Sequence, residues 1–173
     1  MGKSNAVRLA GIAYESLVNG PGIRRVLFAQ GCIHDCEGCF NQDTHSFNGG
    51  ISYDMDDILR DIQDNPMLRG ITFSGGDPFE QADKFAYLAK NIHDIGLNIW
   101  CYTGYTFEYI IENKDRRIGW AELLKYIDVL VDGPFIQEKQ SMAIKFRGSY
   151  NQRIIDVQKS EESGKIVVLD YDN

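Results

Sequence analysis

Four short apolar runs, each ending in glycine and polar residues, constrain this chain more than any other feature. Val26-Leu27-Phe28-Ala29 runs into Gln30-Gly31-Cys32, and Gly70-Ile71-Thr72-Phe73 runs into Ser74-Gly75-Gly76-Asp77-Pro78. Residues 97–102 end in Thr103-Gly104-Tyr105, and Asp128-Val129-Leu130-Val131 ends in Asp132-Gly133-Pro134. Continuous apolar runs of this length read as buried strands. The stretches between them carry helical patterning. Residues 52–65 read as a helix with Ser52 as its N-cap and Pro66 just beyond. Residues 79–95 read as a second, with Phe85, Leu88, Ala89, Ile92 and Ile95 at helical spacing and Gly96 as the C-cap. Residues 106–113 and 120–126 add helical material. Strands alternating with helices predict an α/β fold with a mostly parallel sheet. In such folds ligands gather at the carboxyl ends of the strands, so four such loops in series predict one shared site. A last apolar run, Ile166-Val167-Val168-Leu169, predicts a further strand of unread direction.

The 173 residues suit a single domain spanning 1–173, without repeat, linker or low-complexity tract. Formal net charge is −7, and the only tight basic pairs are Arg24-Arg25 and Arg116-Arg117. Such a surface repels a phosphate backbone, so no nucleic-acid partner is expected. No stretch approaches the roughly 20 apolar residues that span a bilayer. Residues 1–6 lack the apolar core of a secretory signal, and Ala6 stands where a myristoylation pattern wants Ser or Thr. The expectation is a cytoplasmic protein with no membrane partner.

Three of the four cysteines crowd into Cys32-x3-Cys36-x2-Cys39, directly after the first apolar run. The spacing is too tight for a disulfide framework, and such a cluster is more often metal-binding or catalytic. Thiolates favour zinc or iron–sulfur clusters over hard cations. A structural zinc site would be closed by a fourth ligand, which His34 or His45 could supply. An iron–sulfur cluster on three thiolates instead leaves one iron open to substrate. The fourth cysteine, Cys101, lies mid-run between Trp100 and Tyr102 and reads as a small core residue.

The cysteine spacing, followed by an aromatic at Phe40, resembles the signature of the radical S-adenosylmethionine superfamily. Residues 18–24 (Val-Asn-Gly-Pro-Gly-Ile-Arg), Cys39-Phe40-Asn41-Gln42 and Ser74-Gly75-Gly76-Asp77-Pro78 are similar to the small activating enzymes of glycyl-radical enzymes. Residues 100–105, Leu130-Val131-Asp132-Gly133 and Arg147-Gly148-Ser149-x-Asn151-Gln152 narrow the resemblance to activators of anaerobic ribonucleoside-triphosphate reductase. The resemblance implies a partial, laterally open (βα) barrel of the radical S-adenosylmethionine type. It implies a [4Fe–4S] cluster on Cys32, Cys36 and Cys39, with S-adenosylmethionine as cosubstrate. Reductive cleavage of that cosubstrate would yield a 5′-deoxyadenosyl radical, which takes a hydrogen from a glycine of the reductase.

The resemblance also assigns the remaining site residues. Gly38 and Phe40 fall where the family contacts adenine, and Gly75 and Gly76 where backbone approaches the methionine end. Asp77, where the wider superfamily more often has Glu, would accept from the substrate ammonium. Thr103 and Asp132 read as polar contacts to the nucleoside or as turn formers. Residues 19–22 read as a tight turn or a part of the site. Residues 147–152 read as a solvated loop or a contact to partner or nucleoside.

A complete eight-unit barrel takes about 250 residues, so this shorter chain should be open at its side. An open rim can admit a glycine held in a macromolecule. With no second cysteine cluster, electrons must come from a separate donor, of flavodoxin type in this family. A homodimer is compatible with the sequence. The alternatives are an activase of another glycyl-radical enzyme, such as pyruvate formate-lyase, and, from a different class, a zinc-stabilised binding module.

Overall fold

The computed structural model describes residues 5–39 and 42–172. Among them, strands β1 (Ala6–Ser16), β2 (Arg24–Ala29), β3 (Ile51–Asp54), β4 (Gly70–Gly75), β5 (Asn98–Tyr102), β6 (Val129–Asp132) and β7 (Arg153–Asp156) form one sheet. Its order is β3-β1-β2-β4-β5-β6-β7. The four strands expected from the apolar runs are the central block, and they pair in parallel. Both flanks are antiparallel: β1 with β2 and β3 on one side, β7 with β6 on the other. The architecture is a mixed α/β sheet that does not close on itself.

The helices follow the predicted pattern with shifted ends. Residues 51–54 are not the first turn of a helix. Ser52 and Tyr53 pair with Arg8 and Val7 of β1, and ladder bonds take the backbone a helix would need. Helix α1 (Met55–Gln63) therefore starts later, capped by Asp54, whose carboxylate accepts from the Asp57 N–H at 3.0 Å. Replacing Asp54 by alanine is expected to lower stability by about 1 kcal/mol, read as a drop in the urea midpoint at unchanged m-value. The second predicted helix opens as a 3₁₀ turn over Pro78–Gln81 and continues as α2 (Ala82–Asp94). Helices α3 (Phe107–Asn113) and α4 (Trp120–Tyr126) lie where expected, and α5 (Val157–Ser163) follows β7. The run Ile166-Val167-Val168-Leu169 forms one isolated bridge, Val168 with Ile155, and no strand. The Val167 N–H is drawn instead to the Ser160 hydroxyl at 2.8 Å.

Side chains alternate between the two sheet faces, as strand geometry requires. One face sends Leu27, Phe73, Ile99, Cys101 and Leu130 into the main core with Ile62 of α1, Phe85 and Ile92 of α2 and Trp120 of α4. Cys101 is thus the core residue expected. The other face carries Trp100, Val129, Val131 and Ile154, covered by Phe146, Leu169 and Tyr171. On that face, beyond the carboxyl ends of the parallel strands, the fold leaves a cavity. Among the described residues, no helix is long and apolar enough to cross a membrane.

Candidate active site

The loops after β2, β4, β5 and β6 meet around this cavity, whose volume is about 950 Å³. Cys32, Cys36, Cys39, Gly75, Gly76 and Thr103 all line it. The cysteine loop is seated by backbone bonds from three directions. Gly31 N–H donates to Thr44 O at 2.6 Å, Cys32 N–H to His45 O at 3.1 Å, and Asp77 N–H to Gly31 O at 2.8 Å. The buried Gln30 side chain donates to Ser46 O at 2.5 Å and Asp43 O at 3.3 Å, holding the returning segment against the loop.

Gly75 and Gly76 have a reason within the fold. A Cβ at Gly75 would lie 2.4 Å from Ala29 N, and one at Gly76 would lie 2.3 Å from Gly31 O. The close approach they allow is thus first to the end of β2, and it docks the cysteine loop onto β4.

All three loop cysteines are free thiols and partly buried. Burial pushes the Cys32 thiol up to about 12, with the His34 backbone amide pulling the other way. Burial also raises Cys36, with the Phe135 backbone amide pulling the other way. Three soft donors facing one cavity fit an iron–sulfur cluster. Because the thiolate is the ligand, each raised thiol must release a proton on metal binding. Cluster uptake by the metal-free protein is therefore expected to become more complete as pH rises from 6.5 towards 8.5, measured as iron bound per chain.

The other candidates divide. Thr103 lines the cavity, but its hydroxyl donates to Asp77. Asp77 is wholly buried and does not line the cavity; it caps the 3₁₀ turn through the Phe79 N–H at 3.0 Å. Asp132 is also buried off the cavity, accepting from Phe107 N–H at 2.8 Å and from Arg153 Nη2 at 2.6 Å. The Asp132 carboxylate, together with Glu108, raises the Arg153 pKa above its ordinary value. Gly38, at φ 74°, lies against the Gln137 side chain and not on the cavity wall. Phe40 lies outside the described residues. Of the two histidines weighed as zinc ligands, His34 turns Nε2 to Asp77 at 2.7 Å, and His45 holds Nδ1 3.8 Å from Asp35.

Residues 19–22 are both turn and wall. Asn19 lines the cavity, while its carbonyl accepts from the Thr72 hydroxyl at 2.6 Å. The buried Arg24 beneath it donates to Thr72, Pro21 and Ile71, and burial lowers its pKa to about 10. In residues 147–152 most polar ends are spent internally. Gln152 accepts from Gly148 N–H at 2.8 Å and donates to Gly133 O at 3.0 Å, and Asn151 donates to Pro134 O at 2.7 Å. They brace a strap that the sequence reading missed. Gln140, Met142, Ile144 and Lys145 of that strap line the cavity, pinned where Tyr102 donates to Phe146 O at 2.5 Å. The strap has neither helical nor strand period, so pattern reading could not find it.

The family described as a 4Fe-4S single cluster domain matches residues 18–155. The "Anaerobic ribonucleoside-triphosphate reductase-activating protein" of Vibrio cholerae serotype O1 is 42% identical over 146 residues, which is 80% of this chain and 90% of that one. The protein of the same description from Escherichia coli K12 is 35% identical over 79% of this chain and 90% of its own length. That from Enterobacteria phage T4 is 34% identical over 79% and 86%. Among solved structures, QueE from Escherichia coli is similar with a TM-score of 0.46 and 16% identity, over 58% of this chain and 54% of that chain.

Proposed function

The chain belongs to the family of anaerobic ribonucleoside-triphosphate reductase-activating proteins, and from that premise we infer that it is a radical S-adenosylmethionine enzyme that installs a glycyl radical on that reductase. One observation carries the reading: Cys32, Cys36 and Cys39 open onto the same cavity as the glycine loops of three further parallel strands. When bound there, a [4Fe–4S] cluster supplies the electron that splits S-adenosylmethionine and so the 5′-deoxyadenosyl radical that takes the glycine hydrogen.

The chain's own residues hold, orient and shelter. Cys32, Cys36 and Cys39 hold the cluster. Gly75 and Gly76 present backbone to the methionine end, and Thr103 closes the wall beside them. Phe28, Tyr102, Phe135 and Phe146 supply apolar surface that keeps water from a reactive radical. Phe40 serves the adenine, Gly38 shapes the cysteine loop against Gln137, and Asp132 stiffens the rim through Arg153. The single domain is read as a partial barrel, with β2, β4, β5 and β6 as its staves and its open side left for the reductase. A flavodoxin-type donor, a cytoplasmic setting and a homodimer complete the proposal.

The test is anaerobic reconstitution with iron and sulfide, followed by reductant and S-adenosylmethionine. The expected result is a brown protein that forms 5′-deoxyadenosine and raises a glycyl doublet in the paramagnetic spectrum of the reductase, but not of pyruvate formate-lyase. A colourless protein that binds zinc and forms no 5′-deoxyadenosine would overturn the reading.

A further inference from the structure

The strap over residues 140–147 forms one side of the cavity, where Ile144, Lys145, Phe146 and Arg147 line it. Little of it supports itself. Residues 141–147 contain neither helix nor strand, and Met142 is 94% exposed. Phe146 stands in the left-handed region at φ 65°. That conformation costs a residue with a side chain energy, and it persists only where the surroundings fix it. Tyr102 fixes it from below, through its bond to Phe146 O at 2.5 Å. The segment after α5 fixes it from the side.

That segment is seated on β7, where Leu169 N–H donates to Ile154 O at 2.7 Å. Tyr171 then meets Phe146 at 5.4 Å and Trp100 at 5.5 Å, both edge-on. Trp100 meets Phe146 at 5.5 Å, so the three rings close a triangle. Asp172 grips the strap on either side of Phe146. Its Oδ1 accepts from Lys145 N–H at 2.8 Å and its Oδ2 from Arg147 Nη2 at 2.6 Å. Arg147 spends Nη1 on Tyr150 O at 3.1 Å and Gln152 O at 2.8 Å, which ties the same carboxylate to the loop beyond. Tyr171 and Asp172 both lie outside residues 18–155, the part of the chain that the family match covers.

We propose that Tyr171 and Asp172 are positioning residues that clamp the strap in place as a wall of the cavity, and that bound S-adenosylmethionine rests against the wall they hold. The second half of this rests on the function proposed above. An exposed ion pair alone contributes little. Here it acts together with a backbone N–H bond and two ring contacts, all on consecutive residues. A strap with few contacts of its own opens when such a clamp is removed. A ligand that needs the closed wall then binds more weakly, in proportion to the fraction still closed. Reciprocity requires the bound ligand, in turn, to hold the strap shut.

The experiment compares the wild type with Asp172→Ala, Tyr171→Phe and the double variant Tyr171→Ala/Asp172→Ala. Limited trypsin digestion of the metal-free proteins reads cleavage after Lys145 and Arg147, which tracks the open fraction of the strap. The double variant is expected to be cut there about tenfold faster, having lost both the ring contacts and the carboxylate. Asp172→Ala should be cut about threefold faster, and Tyr171→Phe, which keeps the ring, at the wild-type rate. After anaerobic reconstitution the double variant should load iron as the wild type does, yet bind S-adenosylmethionine about tenfold more weakly by equilibrium dialysis. Added S-adenosylmethionine should also slow cleavage of the strap in the loaded wild type. Unchanged cleavage in the double variant overturns the proposal. So does a loaded double variant that is cut faster but binds S-adenosylmethionine as the wild type does. If the double variant does not fold, Asp172→Ala decides. Faster cleavage confined to the strap supports the clamp, and cleavage that is unchanged or rises equally elsewhere overturns it. A wild type that takes up no cluster defeats the functional reading, whereas the metal-free digestion still decides the clamp.

Discussion

Cys36→Ala is expected to abolish iron–sulfur loading and, with it, formation of 5′-deoxyadenosine. Cys36 is the middle cysteine of the motif and lines the cavity with Cys32 and Cys39. Removing it leaves two donors where three are needed. Outer-shell partners of metal sites typically cost 10–100-fold, so loss of a ligand itself should exceed about a thousandfold in activity. Iron per chain and 5′-deoxyadenosine by chromatography measure both effects. Cys101→Ala is the control. Its sulfur lies in the main core and away from the cavity, so that variant should keep its iron and lose only about 1 kcal/mol of stability.

The largest loss of stability is expected from Trp120→Ala. Trp120 is 1% exposed and packs edge-on against Phe79 at 5.3 Å and Tyr105 at 4.9 Å. Its Nε1 donates to Phe79 O at 2.9 Å. Truncating a buried tryptophan costs about 3–5 kcal/mol, a large part of the 5–15 kcal/mol that holds a typical domain together. The bared Phe79 carbonyl adds to it. For a chain of this length the melting temperature should fall on the order of 10 °C. Trp120→Phe, which keeps much of the volume but not the donor, should lose less. Since Phe79 follows directly on the Asp77-Pro78 turn, the truncated protein should also take up iron less completely.

The central sheet was legible because each parallel strand is buried on both faces and is punctuated by glycine at one end. The flanking strands were not. β1 reads Ala-Val-Arg-Leu-Ala-Gly-Ile-Ala-Tyr-Glu-Ser, with small residues blurring its alternation, and most of it is not fully buried. β7 has only four residues, too few to show a period, and directly follows the polar motif at 147–152. The choice between Ser52 and Asp54 as cap depended on β1 claiming residues 51–54, which no local window contains. The tight spacing of Cys32, Cys36 and Cys39 already implied that the three face one place, and all three line the cavity. The partners of Asp77 were not, since His34 and Thr103 reach it from 43 and 26 residues away. The strap over the cavity carried no period to read.

The antiparallel strands at both flanks limit how such a protein can grow. The block β2-β4-β5-β6 is bounded by β1 on one side and β7 on the other, each running against its neighbour. A further βα unit appended after α5 would meet a reversed edge and could not extend the parallel series. Enlargement towards a full ring would have to be spliced between Asp132 and Arg153, displacing the strap, so the natural insertion point coincides with the cover of the cavity. Any larger descendant built on this frame would change its lid before it changed its staves.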